Sequence, residues 1–381
     1  MDIEEYLEKH HLEIKNISDR VLNVWKGTKI VNGVDTGEEC IKILVDKKLA
    51  ELELKIEEII PKFHGGFKTD IVELKTDGWK AGKTPISRLS PKQQKRKLGL
   101  MQTKFVTGAK EATTNFEIDW RKSGKLIAVR NQGECGSCVA FAVTNTWADN
   151  LSILKNEKVI LNPQHIFFCG GGSCQGGSSP ETVLQYGVTV GCALDEDCPY
   201  VSEYGKDEPC GYGLKVDWYI RGKKLDKYTL SLDAMNMKEN LKIAPLVTTM
   251  NVQQSFMNYV SGIYKPNNVV EDPIVGGHAI ETVGCSDSGH YWICKNQWDI
   301  SWGEEGYFQI GYGECGIDTG MFVLTLSNSG IMNNCVNNFQ QVIADIQEKN
   351  AGKIAEDLVA GIKCLAGEKL VNVLDIISKV G

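Results

Sequence analysis

Ten residues, Gln132 to Phe141 (QGECGSCVAF), restrict this chain to folds in which a short glycine-rich turn delivers a cysteine to the start of an apolar segment, Val139 to Val143. A cysteine at the start of a helix feels the positive end of the macrodipole and the unsatisfied N–H groups of the first turn, and both favour thiolate over thiol. An ordinary thiol, with a pKa of about 8.5, is only a few per cent ionised at pH 7, whereas one beside a helix N-terminus and an imidazolium is almost wholly ionised. The turn therefore predicts that Cys138 is an ionised nucleophile before any substrate arrives.

A thiolate needs a partner that moves protons, and the chain has only six histidines, at positions 10, 11, 64, 165, 278 and 290. His278, in VGGHAIETVG, follows two glycines and opens a β-branched run, as expected of a residue exposed at a strand start. Asn296 lies in YWICKNQWDISWGEEGYF, beyond a turn at Ser286 to Gly289 and a second strand-like run. Two antiparallel strands would bring His278 and Asn296 together, so that the Asn carbonyl accepts from the imidazole and fixes its tautomer. Trp298 and Trp302 could cover that bond.

These segments, in this order, resemble the papain-like cysteine proteases. The resemblance also takes in NFEIDWRKSGKLIAVRNQG, LNPQHIFFCGGGSCQGG and IAPLVTTMNVQQSFMNYVSGIY, and spans roughly Asn115 to Leu326. It implies Cys138 as nucleophile, His278 as general base and acid, Asn296 as the orienting residue, and Gln132 as side-chain donor of an oxyanion hole completed by the N–H of Cys138. Three positions depart from the family pattern: Val139 for the usual Trp, Gln297 for Ser and Asp299 for Gly. The fold implied is α+β, a two-lobe papain-like architecture with a helical lobe carrying Cys138 and an antiparallel sheet lobe carrying His278 and Asn296. Helices are expected over about Ser137–Asn156 and Glu181–Tyr186, and sheet from about Pro245 to Leu326.

Substrate contacts follow from the same resemblance. Gly176 and Gly177 leave room for an extended peptide to add its backbone. Thr249, Gly276, Ala279 and Gly320 would line the pocket for the second residue before the scissile bond, which should take bulky apolar or aromatic side chains, and Trp298 completes the substrate-binding set. Of the thirteen cysteines, the resemblance pairs Cys135 with Cys174 and Cys169 with Cys210, and Cys192 with Cys198 form a further local pair. The first bridge closes a loop of about 40 residues, worth about 4 kcal/mol in the chain-entropy model. Cys315 sits in its expected context, but its family partner is missing from the SGIY segment. Cys40, Cys285, Cys294, Cys315, Cys335 and Cys364 have no assigned partner. No metal or cofactor is called for.

Composition sets the remaining limits. A net charge of −7 argues against nucleic acid as a partner, and no run of 18 apolar residues suggests a membrane span. The start, MDIEEYLEKHHLEIKN, is acidic and amphipathic rather than a signal peptide, whereas disulfides imply an oxidising compartment. Secretion or another oxidising compartment is favoured, with the cytoplasm as the alternative.

Four parts are expected. Residues 1–75 form a small α+β module: a helix over Ile3–Val21, strands over Val21–Val34 and Cys40–Val45, a helix over Leu49–Phe63 and a strand over Phe67–Leu74. Residues 76–112 read as an exposed basic linker, 113–327 as the catalytic domain, and 328–381 as an amphipathic helical extension that packs on that domain or binds a membrane or partner. Peptide or protein substrates are expected, with the chain acting as an endopeptidase made as a zymogen. The first 110 or so residues would inhibit until cut near Lys95–Lys104, or else act as an accessory binding module. An acyl transferase, or a silent binding protein on the same scaffold, are the competing functions.

Overall fold

The computed structural model describes residues 1–48, 60–101, 115–215, 218–267 and 271–327. The chain opens with α1 (Ile3–Lys15), started by Asp2 accepting from the Glu5 N–H. It stops at Lys15 rather than reaching Val21, because Asn16 caps it and a turn at Ser18 releases Val21 into β1 (Val21–Val31). The long strand expected to Val34 is instead broken by Asn32–Gly33, both at positive φ, which turns β1 back into β2 (Val34–Val45). Asn-Gly is the preferred chemistry for such a two-residue hairpin. β3 (Phe63–His64) and β4 (Phe67–Glu73) complete a four-stranded sheet in the order β1-β2-β4-β3, with β2 and β4 parallel. The helix expected over Leu49–Phe63 lies largely outside the described residues, and its last residue, Phe63, is already strand. Ile3, Leu7, Ile14, Val24 and Ile43 form the module's core.

The expected exposed linker is, as far as Met101, not a linker. β5 (Trp79–Ala81) adds to the edge of the larger sheet, and two short Pro-initiated helices follow, α2 (Pro85–Arg88) and α3 (Pro91–Arg96), each with a reciprocal capping box at Thr84/Ser87 and Ser90/Gln93. Its polar composition is deceptive because the polar atoms are satisfied internally: Asn23, Gln94, Gln254 and Asn258 hydrogen-bond one another where the module meets the sheet lobe.

The two-lobe region begins with β6 (Glu117–Asp119). The helical lobe holds α4 (Cys138–Lys155), α5 (Pro163–Cys169) and α6 (Pro180–Thr189), packed through Val139, Trp147, Phe167 and Leu184. The sheet lobe runs through β7 (Leu225–Ser231), α7 (Ala234–Ile243), β8 (Leu246–Gln253), β9 (Tyr259–Tyr264), β10 (Ile274–Ser286), β11 (Tyr291–Lys295), β12 (Tyr307–Gly311) and β13 (Met321–Leu326). Its strand order among the described residues is β5-β9-β12-β11-β10-β8-β13-β7, with β6 pairing β10, over an aromatic core of Phe256, Trp292, Trp302 and Phe308. This is the α+β two-lobe arrangement. The C-terminal extension, with Cys335 and Cys364, lies outside the described residues.

Candidate active site

Cys138 is the first residue of α4 and is fully buried. The Ser137 cap makes no side-chain bond to the first turn; its hydroxyl instead meets Tyr200. The early N–H groups of α4 therefore remain free to face the sulfur. Cys135, bonded to Cys174, holds the turn before the helix, and Cys169 is bonded to Cys210. Cys192 and Cys198 do not form the expected bridge. Paired backbone bonds between Cys192 and Lys223 fix that segment, and its thiol points at the Asn162 carbonyl, whereas the Cys198 thiol points at the Tyr212 carbonyl. Cys40, Cys285, Cys294 and Cys315 are free thiols as well.

His278 and Asn296 sit on β10 and just past β11, which pair antiparallel. His278 Nε2 lies 2.9 Å from Asn296 Oδ1, which also accepts from the Gln297 N–H. Trp298 covers the pair, its ring centroid 4.7 Å from that of the imidazole. Nδ1 of His278 has no hydrogen-bond partner among the described residues and remains available for proton transfer. Gln297, where the family usually has Ser, places its Nε2 3.3 Å from His278 Nε2 and donates to the Ala279 carbonyl at 2.8 Å. Only the Nε2–H tautomer can donate to Asn296, whereas the Nδ1–H tautomer would accept from Gln297.

Gln132 is buried and donates from Nε2 to the carbonyls of Cys135 and Lys97, at 2.8 and 3.1 Å. The second of these is the least expected feature of the site. From Lys97, which caps α3, residues Leu98 to Met101 run through the cleft between the lobes. Gly99 N–H donates to Cys138 Sγ at 3.3 Å, Ser178 N–H donates to the Gly99 carbonyl at 2.9 Å, Met101 N–H to the Ser178 carbonyl at 3.0 Å, and Leu100 N–H to the Gly277 carbonyl at 3.3 Å. Fit along the strand is close: a Cβ on Gly99 would lie 1.7 Å from the Gly136 carbonyl oxygen, and one on Gly177 would lie 1.8 Å from the Gly99 carbonyl oxygen.

The expected binding residues are distributed around this strand. Gly177 lies against Gly99, Gly276 faces Leu98, and Leu100 joins the apolar cluster that contains Cys138 and Ala279. Thr249 is the cross-strand partner of Ala279. Gly176 remains exposed at the edge, and a side chain on Gly320 would meet Leu230 and Leu232. A cavity of about 240 Å³ persists beside Leu98 and Leu100, lined also by Asn251 and Gly276. The sequence points to inhibition by the first 110 or so residues but not to Lys97, Gly99 and Leu100 in particular; the signal was Leu98-Gly99-Leu100, two apolar residues around a glycine inside a basic run.

The strand reverses the expected ionisation. Burial beneath it pushes the Cys138 thiol up to about 11, although the N–H groups of Ala279, Gly99 and Val139 pull the other way. Burial likewise pushes His278 down to about 4, with the Lys97 ammonium adding to the effect. Helix-terminus stabilisation of a thiolate is thus outweighed by loss of water, and the pair is neutral at pH 7 while covered.

Residues 114–325 match the family model described as papain family cysteine protease. The chain is 31% identical over 211 residues to pro-cathepsin H of Mus musculus, an alignment covering 52% of this chain and 62% of that protein. It is 33% identical over 214 residues to a cathepsin L-like proteinase of Fasciola hepatica, covering 53% and 62%. Among solved structures, procathepsin B S9 of Trypanosoma congolense matches with a TM-score of 0.57 at 23% identity, covering 66% of this chain and 94% of that one. The chain thus spans about 62% of the length of these two relatives.

Proposed function

The chain belongs to the papain family of cysteine proteases, and from that premise we propose that it is a cysteine endopeptidase made as a zymogen, with Cys138 as nucleophile, His278 as general base and acid, Asn296 as its orienting partner and Gln132 as an oxyanion donor. One observation carries this reading: a peptide strand lies across Cys138 in a register that cannot be cut. Gln132 polarises the Lys97 carbonyl, whereas the sulfur meets the N–H of the Leu98–Gly99 peptide. The polarised carbonyl and the group facing the nucleophile belong to different peptide units, so no single carbonyl carbon has both.

With the strand withdrawn, His278 Nδ1 takes the Cys138 proton and the thiolate adds to a substrate carbonyl. Gln132 Nε2 and the Cys138 N–H hold the resulting oxyanion. Nδ1–H then protonates the leaving amine, and a thioester to Cys138 remains. Water, deprotonated by His278, attacks the thioester and releases the acid and the thiol. Asn296 keeps the ring oriented through both transfers.

Residues 1–101 act as the inhibitory part. The expected cut near Lys95–Lys104 shifts downstream, because Lys97, Gly99 and Leu100 are buried whereas Met101 is exposed. The two disulfides support an oxidising compartment, secreted or lysosomal. Among the described residues no helix is long and apolar enough to cross a membrane.

Turnover of a fluorogenic peptide, product analysis and titration of the Cys138 thiol test this function, comparing the full chain with a chain beginning near Ala112. Hydrolysis by the shorter chain, slowed by adding back the first domain and abolished by Cys138→Ala, is the expected result. Transfer of the acyl group to an added amine in preference to water would favour a transferase. A titratable thiol without turnover would favour a binding protein.

A further inference from the structure

The Tyr200 hydroxyl touches both residues on which the two oxyanion donors depend. It donates to the Gln132 carbonyl at 2.7 Å and lies 3.0 Å from Ser137 Oγ. Gln132 carries one donor on its own Nε2; Ser137 carries the other through the peptide bond that ends in the Cys138 N–H. A phenol has one proton to give, so with that proton on the Gln132 carbonyl the Ser137 hydroxyl donates the second bond. Its other acceptor, the Cys135 carbonyl, is farther away at 3.4 Å. Burial pushes the Tyr200 phenol above its ordinary value of 10, which keeps the donor protonated at neutral pH.

Each end of the Gln132 main chain is fixed from a different lobe. Its N–H donates to the Gln297 carbonyl at 3.0 Å, on the sheet side, and its carbonyl accepts from Tyr200, on the helical side. Beyond Tyr200 the chain follows the same turn: the Glu134 N–H donates to the Glu203 carbonyl at 2.6 Å, and a Cβ on Gly133, at φ +64°, would lie 2.1 Å from that carbonyl oxygen. The tyrosine is itself held. Its ring meets the Phe141 ring of α4 edge-on, with centroids 5.0 Å apart, and the next N–H, that of Val201, donates to Gln164 Oε1 of α5 at 2.8 Å. Ser137 stands at the N-cap of α4, where its hydroxyl could bond the first turn, yet it makes no such bond. The arrangement serves the turn before the nucleophile rather than the helix after it.

We infer that Tyr200 is a positioning residue for the oxyanion site: its hydroxyl ties Gln132 to the turn that ends at Cys138, and so keeps Gln132 Nε2 and the Cys138 N–H aimed at one point. The inference rests on the peptidase reading above. While the cleft is covered, Gln132 Nε2 divides its hydrogens between the Cys135 and Lys97 carbonyls. Once the strand leaves, the hydrogen given to Lys97 is free for the oxyanion, and the Tyr200 bond keeps it in place. A small displacement of such a donor is enough to lower the rate, because its effect depends on being aimed before charge develops.

The test is Tyr200→Phe, which removes the hydroxyl and keeps the ring, in the full chain after activation in solution, with rates normalised to titrated thiol. Peptide kcat should fall about tenfold with KM within about twofold. Affinity for a peptide aldehyde, whose oxygen takes the oxyanion position once the thiol has added, should fall about as much. Alkylation of Cys138 by iodoacetamide forms no oxyanion and should stay within about twofold. In a Gln132→Ala background the same substitution should cost less than about threefold, because the donor it positions is already gone. Ser137→Ala, which leaves Tyr200 on Gln132 but cuts its link to the turn, should show the same pattern more weakly, and it decides the matter if Tyr200→Phe does not fold. Wild-type kcat and aldehyde affinity in the variant would overturn the inference. So would an equal fall in turnover and alkylation, the mark of a collapsed turn, or a full tenfold loss on top of Gln132→Ala. A wild-type chain with a titratable thiol and no turnover of any peptide would bring down the peptidase reading, while the aldehyde and alkylation measurements would still judge Tyr200.

Discussion

β10 and β11 carry two polar clusters three residues apart, built for opposite ends. His278 and Asn296 face the cleft, one ring nitrogen bonded and the other free. Glu281 and Lys295, directly opposite in the strand register, face inward, where Lys295 Nζ bonds Asp149 Oδ2 of α4 at 2.7 Å and lies 3.5 Å from Glu281 Oε2. All three ionic side chains are inaccessible to water. With one cation for two acids, burial and the Asp149 charge hold Glu281 protonated, its pKa well above the carboxylate range. The first cluster presents a ring nitrogen without a hydrogen-bond partner beside the cleft strand; the second is sealed from water and ties α4, which begins at Cys138, to β10 and β11.

The largest effect expected from that contrast is on stability. Lys295→Met leaves the Asp149 carboxylate buried without its cation and should cost about 3–5 kcal/mol, seen as a lower urea midpoint with unchanged slope. His278→Ala should cost much less, since Asn296 Oδ1 keeps the Gln297 N–H, yet should end turnover. If both variants lost stability alike, the two clusters would not be distinct in role. Gln132→Ala comes next, with a fall in kcat on the order of 10²-fold and little change in stability. Wild-type kcat in that variant would mean that the oxyanion is held elsewhere.

Glu281→Gln is the subtle case. A raised carboxyl pKa gives stability that is complete below the usual value near 4.5 and is lost as pH rises through the folded value. An amide cannot titrate, so the variant should lose that decline and differ by less than about 1 kcal/mol at pH 5. A parallel pH profile would show that Glu281 is ionised in the folded protein.

The cleft has its own pH window. Cys138, raised to about 11, stabilises the covered state fully below its ordinary value near 9, and this is lost as pH rises through 11. His278, lowered to about 4, stabilises it above its ordinary value of 6.5, and this is lost as pH falls through 4. The strand should therefore be held best between about pH 6.5 and 9 and loosen in acid. Exchange of the Ser178 amide, corrected for its intrinsic rate, should quicken below pH 6; constant protection down to pH 4 would contradict the assignment.

Much of the site was legible because its chemistry is local. A glycine turn before Cys138, glycines before His278 and tryptophans after Asn296 announce strained turns and covered bonds in the residues themselves. The strand across the cleft was not, for a physical reason. Lys97 to Met101 is held chiefly by main-chain bonds and by the absence of a side chain at Gly99, which leave no periodic pattern, and its one lysine, inside a basic run, reads as solvated although it is buried. Cys192 and Cys198 misled by proximity in sequence, which says nothing of where two thiols point. The Asn32–Gly33 hairpin, by contrast, was written in the sequence and passed over among β-branched residues.

The central claim is that a complete but neutral catalytic pair is shut by Lys97–Met101, and the alkylation rate of Cys138 in the full chain at pH 7.5 tests it most directly. Gly99→Val forces a side chain against the Gly136 carbonyl, a clash worth about 1–3 kcal/mol. The rate, followed at Cys138 by mass mapping with iodoacetamide, should be slow in the wild type and at least about tenfold faster in the variant. Equal rates in the two chains, or a wild-type thiol that reacts as fast as an exposed one, would contradict the account.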